Sequence, residues 1–250
     1  MLKQNASQHS YQKTPAAWAT HEFAHAPLAD KRHTKRLQMI ATAFAQQPTA
    51  AIPEACGNLA EVKATYRFVE NEAIVAAAIR EPHHKATLQR VSLHPVILAV
   101  QDTTTLNYST HPCTEGLGPI CHSSKSIGLL VHSTLAITPS GQPLGFLHNA
   151  VRARNPRARV SSREGRKLAD KESHKWIESL EACQAVAPLC SQTTLVNITD
   201  REGDLYDLFV QALKVSDESR VELLVRALVR AHHGILGSDL LARVPGPFPL

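Results

Sequence analysis

Apolar residues recur at helical spacing along the first third of the chain. Asp30 is a good N-cap for a predicted helix from Lys31 to about Gln46, because its short side chain can accept a hydrogen bond from the first turn. Within that helix four apolar residues fall at positions i, i+3, i+4 and i+7, namely Leu37, Ile40, Ala41 and Phe44. This spacing places them on one side, so we predict an amphipathic helix that packs against neighbouring helices.

A second helix is predicted after Asn58, which resembles the first residue of a capping box completed by Glu61. Its apolar residues fall on one side of the helix and are Leu59, Val62, Tyr66 and Val69. Residues 16–92 are therefore predicted to form a small helical bundle, preceded by a flexible tail at residues 1–15.

The pattern changes at about residue 93, where short apolar runs bounded by turn residues replace the helical spacing. Five runs are typical of strands, and two intervening segments are typical of helices. The predicted strands are residues 95–101, 127–137, 144–151, 194–199 and 220–228, and the predicted helices are 168–185 and 201–213. The order β-β-β-α-β-α-β predicts an α/β fold in which helices pack on a mixed sheet.

Composition narrows the functional class without naming a function. The 250 residues are enough for one large domain or two modest ones with a buried core. The formal net charge of +5 is compatible with a polyanionic partner. The five cysteines form no C-x-x-C pair, and the sequence has neither a secretory signal nor a long apolar stretch. We therefore expect a soluble cytoplasmic protein with reduced thiols and no membrane contact.

Two acidic residues follow apolar strands. Asp102 follows the run at 95–101, and Asp200 follows the run at 194–199. In the predicted order the first and fourth strands can lie side by side and parallel, which brings the two carboxylates together at one edge. Adjacent carboxylates repel each other, and a divalent ion such as Mg²⁺ relieves that repulsion because it prefers oxygen ligands. The alternative is that each aspartate caps a turn or the following helix.

Basic residues cluster on the first of these predicted helices. Lys31 and Lys35 are spaced i, i+4, and Arg32 and Arg36 repeat that spacing. Like charges at this spacing cost a helix about 0.2–0.5 kcal/mol per pair, a cost that is easier to understand if phosphates lie against the face. The alternative is a solvated helix face. A second basic cluster at 152–167 is predicted to be a mobile arm, which either tracks a nucleic-acid backbone or is simply disordered.

Several short motifs together resemble the DDE transposases of the insertion-sequence-four group, typified by the Tn-five transposase. The matching segments are spread from about residue 16 to residue 230. They are WATHEFAHAPLADKRHTKRL (18–37), ATYRFVEN (64–71), AVQDTTTLNYS (99–109), VHSTL (131–135), DKESHKW (170–176) and TDREGDLYDLF (199–209).

This resemblance implies a ribonuclease-H-like catalytic core at residues 93–230 behind a helical DNA-binding region. Asp102 and Asp200 would be the first two acids of the DDE triad and would bind Mg²⁺, or Mn²⁺ in its place. The expected contacts to double-stranded DNA at the transposon end are Arg32, Lys35, Arg36 and Arg226, and Lys31 of the same basic cluster is expected to bind DNA with them. The family chemistry is metal-dependent strand cleavage at that end, followed by strand transfer into target DNA. Family members act as dimers, and a bacterial cytoplasmic protein that associates with the nucleoid is expected.

The third acid of the triad has no matching position in this sequence. The family places a glutamate in a late helix with the pattern Y-x-x-R-x-x-x-E, but no tyrosine follows Tyr206 and no glutamate follows Glu222. We therefore expect a truncated transposase with little or no activity, in which residues 231–250 form a truncated or divergent end. One alternative is a regulatory fragment that competes with full-length transposase for DNA. Another is a self-sufficient ribonuclease-H-like nuclease that uses a different third ligand.

Overall fold

The computed structural model of the chain describes residues 14–111, 113–121, 126–155 and 172–227. The tail expected at residues 1–15 lies outside these ranges except for its last two residues. The end expected at residues 231–250 lies outside them entirely, and the basic cluster at 152–167 is described only as far as residue 155.

Residues 14–92, all of which the structure describes, contain five α-helices. They are α1 (Pro15–Glu22), α2 (Lys31–Gln46), α3 (Ile52–Cys56), α4 (Leu59–Val69) and α5 (Ala76–Val91). Helix α2 has the predicted limits, and Asp30 caps it because Asp30 Oδ1 accepts a hydrogen bond from Arg32 N at 2.8 Å. In the described part of the chain, no helix combines the length and the apolar character needed to cross a membrane.

The apolar side of α2 forms the centre of the helical region. Leu37 is buried together with Phe23 and Phe68, and Ile40 and Ala41 pack against this group. The amphipathic face predicted for α2 is therefore confirmed. Burial of a side chain of this size contributes roughly 1.5–3 kcal/mol, so a few aromatic and aliphatic contacts are enough to hold the short helices together.

The apolar side predicted for α4 does not face the core. Three of its four residues are exposed, namely Leu59 (78%), Tyr66 (41%) and Val69 (66%). The buried residues of α4 are Thr65 and Phe68 instead. On this side of α4, Phe68 is buried with Leu37 of α2, Cys56 Sγ lies 3.3 Å from Thr65 Oγ1, and the Glu61 carboxylate pairs with Arg36 of α2. Apolar and polar contacts with neighbouring helices together accompany this orientation, which the helical spacing of the apolar residues does not predict.

The remainder of the described chain contains a mixed sheet and two α-helices. The strands are β1 (Val96–Asn107), β2 (Gly118–Pro119), β3 (Ile127–Ile137), β4 (Pro143–Arg152), β5 (Thr194–Thr199) and β6 (Glu222–Val225), and the helices are α6 (His174–Val186) and α7 (Tyr206–Leu213). The strand order is β2-β3-β1-β5-β6, with β4 also paired to β3. The predicted α/β fold with a mixed sheet is confirmed, and the two-residue strand β2 is an addition that the sequence does not signal.

Strand β1 pairs differently along its two edges. It runs parallel to β5 as far as the pair Val100 and Ile198, as predicted, and antiparallel to β3 as far as the pair Asn107 and Gly128. The prediction that the first strand ends at residue 101 is therefore wrong, and Asp102 lies within β1. The strand continues because β3 supplies hydrogen-bonding partners after β5 has ended, and β-branched threonines suit such a half-exposed strand.

The main hydrophobic core lies against one face of the sheet. Ile97 of β1 and Leu195 of β5 are buried there against Trp176 of α6. The residues that alternate with them along both strands are only half-buried. Because side chains alternate between the faces of a strand, Asp102 belongs to this second set and lies on the face opposite the core.

Candidate functional site

Lys31 and Lys35 form an exposed pair one turn apart on α2. Within the described ranges neither lysine forms an ion pair with an acidic residue. Residues four positions apart lie on the same side of a helix, and this side is solvent-exposed, whereas Leu37 faces the core. The two ammonium groups are therefore free to bind an anionic partner.

Arg32 and Arg36 each form an ion pair with an acid of their own chain. The Arg32 side chain is 90% exposed, and its Nη2 lies 2.7 Å from Asp30 Oδ2 while its Nε lies 3.2 Å from Asp30 Oδ1. These hydrogen bonds lower the pKa of Asp30 to about 2. Arg36 pairs with Glu61 of α4 in a half-buried contact. The predicted basic face is thus divided between two lysines without ion pairs and two arginines that each pair with an acid.

The predicted capping box at the start of α4 is half formed. Asn58 Oδ1 accepts a hydrogen bond from Glu61 N at 3.0 Å, as the sequence predicts. The Glu61 carboxylate binds Arg36 on α2 rather than the Asn58 backbone. The second half of the capping box is therefore replaced by a contact between two helices.

Asp102 and Asp200 occupy equivalent positions on two adjacent parallel strands. The last paired residues are Val100 and Ile198, and each acid comes two residues later. Asp102 is exposed, and no side chain in the described ranges binds its carboxylate. Asp200 is half-buried, and its Oδ1 accepts a hydrogen bond from Glu202 N at 2.8 Å at the start of a short 3-10 turn. The capping alternative thus holds for Asp200, while the strand pairing places both acids at the same end of the parallel pair β1 and β5.

Arg226 continues the same row on the next strand. Strand β6 runs parallel to β5, with Leu224 opposite Ile198, and Arg226 N donates to Thr199 O at 3.1 Å. The Arg226 residue is exposed, and its side chain forms no ion pair with Asp200. We call these three residues, Asp102, Asp200 and Arg226, which follow one another across the C-terminal ends of the parallel pairing, the acidic edge. Its two carboxylates could hold a cation, and its guanidinium could bind a phosphate.

A chain of buried polar side chains lies behind the acidic edge, on the core side of the sheet. The hydroxyl of Thr103 donates to His132 Nδ1 at 2.9 Å, and His132 Nε2 donates to Gln101 Oε1 at 3.0 Å. The Gln101 amide then donates to Asn197 Oδ1 at 2.6 Å, and the Asn197 amide to Cys183 Sγ at 3.6 Å. The neutral histidine tautomer with its proton on Nε2 satisfies every group, so this polar chain links β3, β1, β5 and α6.

The polar chain is absent from the sequence-based predictions, although the sequence carries a signal for it. Gln101, His132 and Asn197 occupy inward-facing positions of otherwise apolar strands. Buried polar groups need partners, so three such residues on neighbouring strands indicate that they bind one another. The pairing itself requires the strand register, which the sequence does not supply.

Burial keeps the groups of the polar chain uncharged. It lowers the pKa of His132 to about 4, and the positive charge of Lys175 acts in the same direction. Burial also raises the pKa of the Cys183 thiol to about 12, so this cysteine is protonated and unreactive near neutral pH. The polar chain therefore holds the strands together and does not supply a charged or nucleophilic group.

The acidic edge fits part of a binding site for a hard cation. Mg²⁺ prefers carboxylate and water oxygens, and two carboxylates at equivalent positions on adjacent parallel strands are ligands of that chemical type. In the described part of the chain, no group of three or more His, Cys, Asp or Glu residues lies close enough to hold a metal. Asp102 and Asp200 are therefore the two described residues that could hold such an ion.

Comparison with known proteins assigns the helical region. Residues 15–74 match the family model described as transposase DNA-binding. The matched segment contains helices α1 to α4 and all four basic residues at the start of α2, whereas the acidic edge lies outside it. The match supports a transposase that binds DNA through its N-terminal helical region.

Proposed function

We propose that the chain is a transposase that binds double-stranded DNA at the ends of a mobile element, with α2 supplying its principal phosphate contacts. The observation that carries the proposal is the match of residues 15–74 to a transposase DNA-binding family, combined with the free lysines Lys31 and Lys35 inside that segment. Lysines bind phosphates mainly as point charges, and the release of counterions makes such binding strongly dependent on salt.

The sheet is proposed to be a ribonuclease-H-like core of the insertion-sequence-four group. The equivalent positions of Asp102 and Asp200 on the parallel strands β1 and β5 support this assignment. A bound Mg²⁺ or Mn²⁺ would activate water and stabilise the leaving oxygen of a phosphodiester. The chain itself holds the two carboxylates in register and presents Arg226 to a phosphate oxygen. Because members of this family act as dimers on paired transposon ends, a homodimer is part of the proposal.

A second candidate function is regulatory binding without efficient cleavage. The observation that favours it is the acidic edge itself, which has two carboxylates and no third acid among the described residues. A chain that holds transposon ends but cleaves them poorly would compete with an active transposase for the same DNA. The same observation weighs against a self-sufficient nuclease.

DNA binding is tested with duplexes that the wild-type chain selects from a random double-stranded library. Fluorescence anisotropy between about 50 and 200 mM salt gives the affinity and its salt dependence. The variant Lys31→Ala plus Lys35→Ala is expected to weaken binding and to reduce the salt slope by about 2, roughly 1 per phosphate contact. Lys214→Ala removes an exposed lysine beyond α7 and serves as the matched control. Unchanged binding in the double variant would remove α2 from the DNA interface.

Cleavage and regulation are separated with a supercoiled plasmid that carries the selected sequence. Nicking that requires Mg²⁺ or Mn²⁺, and that disappears in Asp102→Asn and in Asp200→Asn, supports the enzyme. Asp207→Asn, which changes an exposed acid on α7, is the control and should leave nicking intact. Absence of nicking, together with depressed transposition in cells that overproduce the chain, supports the regulatory function.

A further inference from the structure

A buried carboxylate joins the helical region to the rest of the fold. The Glu22 side chain at the end of α1 is fully buried. Its two oxygens accept hydrogen bonds from the Arg90 guanidinium at 2.8 and 2.9 Å, and Oε1 lies 2.6 Å from His83 Nδ1. Both partners belong to α5, which follows the segment that matches the transposase DNA-binding family. The contact therefore crosses the boundary of the matched region.

The same two residues of α5 also bind the backbone of the sheet. Arg90 Nε donates to Leu144 O of β4 at 2.6 Å, and Phe146 N donates to His83 Nε2 at 3.0 Å. Because Nε2 accepts a hydrogen bond, the imidazole proton lies on Nδ1 and is donated to Glu22. Each of the two side chains thus binds the Glu22 carboxylate of α1 and also the backbone of β4.

Gly145, between the two bonded residues of β4, allows this close approach. Its φ of +137° favours glycine, and a Cβ at this position would lie 2.1 Å from Thr87 Oγ1 and 3.1 Å from the Arg90 guanidinium. Thr87 Oγ1 in turn accepts a hydrogen bond from Arg90 Nη2 at 3.2 Å. The backbone of β4 therefore fits tightly against α5, and a side chain at this position would force the two elements apart.

Electrostatic interactions hold the junction together. A buried carboxylate is costly unless it is fully paired, and removal of one partner leaves an uncompensated buried charge. Burial raises the pKa of Glu22, but the hydrogen bonds from His83 and Arg90 outweigh this effect and lower the pKa overall. The carboxylate is thus ionised at neutral pH, and separation of α1 from α5 would expose three polar groups that now bind one another.

The junction lies near the level of the acidic edge. Phe146 of β4 pairs with Leu135 of β3, and Leu135 pairs with Val100 of β1. Val100 precedes Asp102 by two residues. The strand pairing therefore connects the junction, through two neighbouring strands, to the part of β1 that carries the first acid.

We propose that Glu22, Arg90 and His83 are positioning residues that fix the DNA-binding region in one orientation against the sheet, so that DNA held by α2 is directed to the acidic edge. This inference rests on the proposed function, because it assumes that bound DNA reaches both regions. The three residues do not contact DNA, and they act through the angle between the helical region and the sheet.

The first test measures hydrogen exchange by mass spectrometry, with and without the duplex selected by the wild-type chain. Wild-type protein is expected to gain protection on α2 and also at residues 96–107 and 196–204 of the acidic edge. Glu22→Gln and Gly145→Ala are expected to keep protection on α2 with nearly unchanged affinity, and to lose at least half of the protection at the edge. Glu81→Gln breaks an exposed ion pair with Lys85 on the same helix, so it should behave as wild type.

The second test needs no DNA and separates the two proposals. Two nitroxide labels are attached at Glu70→Cys and Ser140→Cys. The background changes three other cysteines to serine, namely Cys56, Cys113 and Cys121. Electron double resonance then measures the distance between the helical region and the sheet. The positioning role predicts a narrow distribution of label distances in the parent and in Glu81→Gln. It predicts a broadened or shifted distribution in Glu22→Gln and in Gly145→Ala. An unchanged distribution in both junction variants would overturn it. If the distribution broadens but wild-type protein shows no protection at the edge, the positioning role stands and the proposed approach of DNA to the edge fails.

Discussion

The Gln101 side-chain amide donates a 2.6 Å hydrogen bond to Asn197 Oδ1 in the interior of the protein. This bond joins β1 to β5 one residue before Asp102 and three residues before Asp200. Neither side chain contains a charge, and both are almost completely buried. The register of the two acids is therefore supported from the core side by a specific polar contact between their strands.

Replacement of Gln101 is expected to lower the free energy of unfolding by more than a typical core substitution does. Gln101→Leu would leave His132 Nε2 and Asn197 Oδ1 buried without partners, and each unsatisfied group costs about 1–3 kcal/mol. Urea unfolding at pH 7.5 should show this loss as a lower midpoint with an unchanged slope. The double variant Gln101→Leu plus Asn197→Leu should be less destabilised than the sum of the two single variants. Strict additivity would show that the hydrogen bond does not couple the strands.

Acidification is expected to destabilise the fold through its buried histidines. Burial lowers the pKa of His132 to about 4, and burial also lowers the pKa of His84 and of His148. Because these pKa values are lower in the folded state, the stabilisation is complete above about pH 6.5, the pKa of an unfolded histidine. It is lost as the pH falls toward 4, with a slope of up to about 1.4 kcal/mol per pH unit for each proton.

The pH dependence is measured by urea unfolding at intervals from neutral pH down to about pH 4.5. His132→Gln should lower stability at neutral pH and flatten the dependence on pH, because this variant cannot take up the proton. His94→Gln changes a histidine that lies just before β1 and is the comparison. Equal slopes in wild type and His132→Gln would exclude His132 as a titrating group.

The four basic residues of α2 are expected to separate into two classes. Lys31→Ala and Lys35→Ala should each weaken DNA binding while they change the free energy of unfolding by less than about 0.5 kcal/mol. Arg36→Ala removes the partner of Glu61 and should destabilise the helical region by roughly 1 kcal/mol, a small value because this pair is partly exposed.

Thermal unfolding and anisotropy on the same samples distinguish these classes. Arg36→Lys retains the charge but not the planar guanidinium, so it should recover only part of the stability lost in Arg36→Ala. If Arg36→Ala keeps the stability of the wild type but loses much of its DNA binding, Arg36 contacts DNA and is not mainly a structural residue.

Gly203 is expected to control the position of Asp200. A Cβ at residue 203 would lie 2.4 Å from Thr199 Oγ1, and Gly203 N donates to Asp200 O at 3.0 Å within the turn. Gly203→Ala should therefore displace the turn that follows β5 and weaken Mn²⁺ binding measured by electron paramagnetic resonance. Gly141→Ala, in the β3–β4 turn, has open space around its added Cβ but a strained φ of +88°. It controls for a general loss of stability.

Local rules were sufficient to predict most elements of the fold. Asp30 and Asn58 mark the starts of α2 and α4 because a cap is a short-range contact between residues two or three positions apart. The parallel pairing of β1 with β5 also followed from the order of the elements. Each of these predictions depends on neighbouring residues or on chain connectivity alone.

Predictions failed where a distant residue decides the outcome. Helix α4 turns Tyr66 outward and buries Phe68 with Leu37 of α2. Strand β1 continues past Asp102 because β3 pairs with it. The partners of Glu22 lie 61 and 68 residues away, so no local pattern indicates the junction. The candidate acids could be named from the sequence, whereas the buried contacts that support them required the tertiary structure.

The exposed polar residues of β1 after Asp102 have a consequence for the solubility of the protein. Beyond Val100, β1 has a partner only on its β3 side among the described residues, so the other edge of the strand exposes backbone donors and acceptors. An edge of this kind can template pairing with a strand of another molecule. The side chains along this segment are exposed and polar at Thr104, Thr105 and Asn107. Valines at these positions would make the segment prone to aggregation.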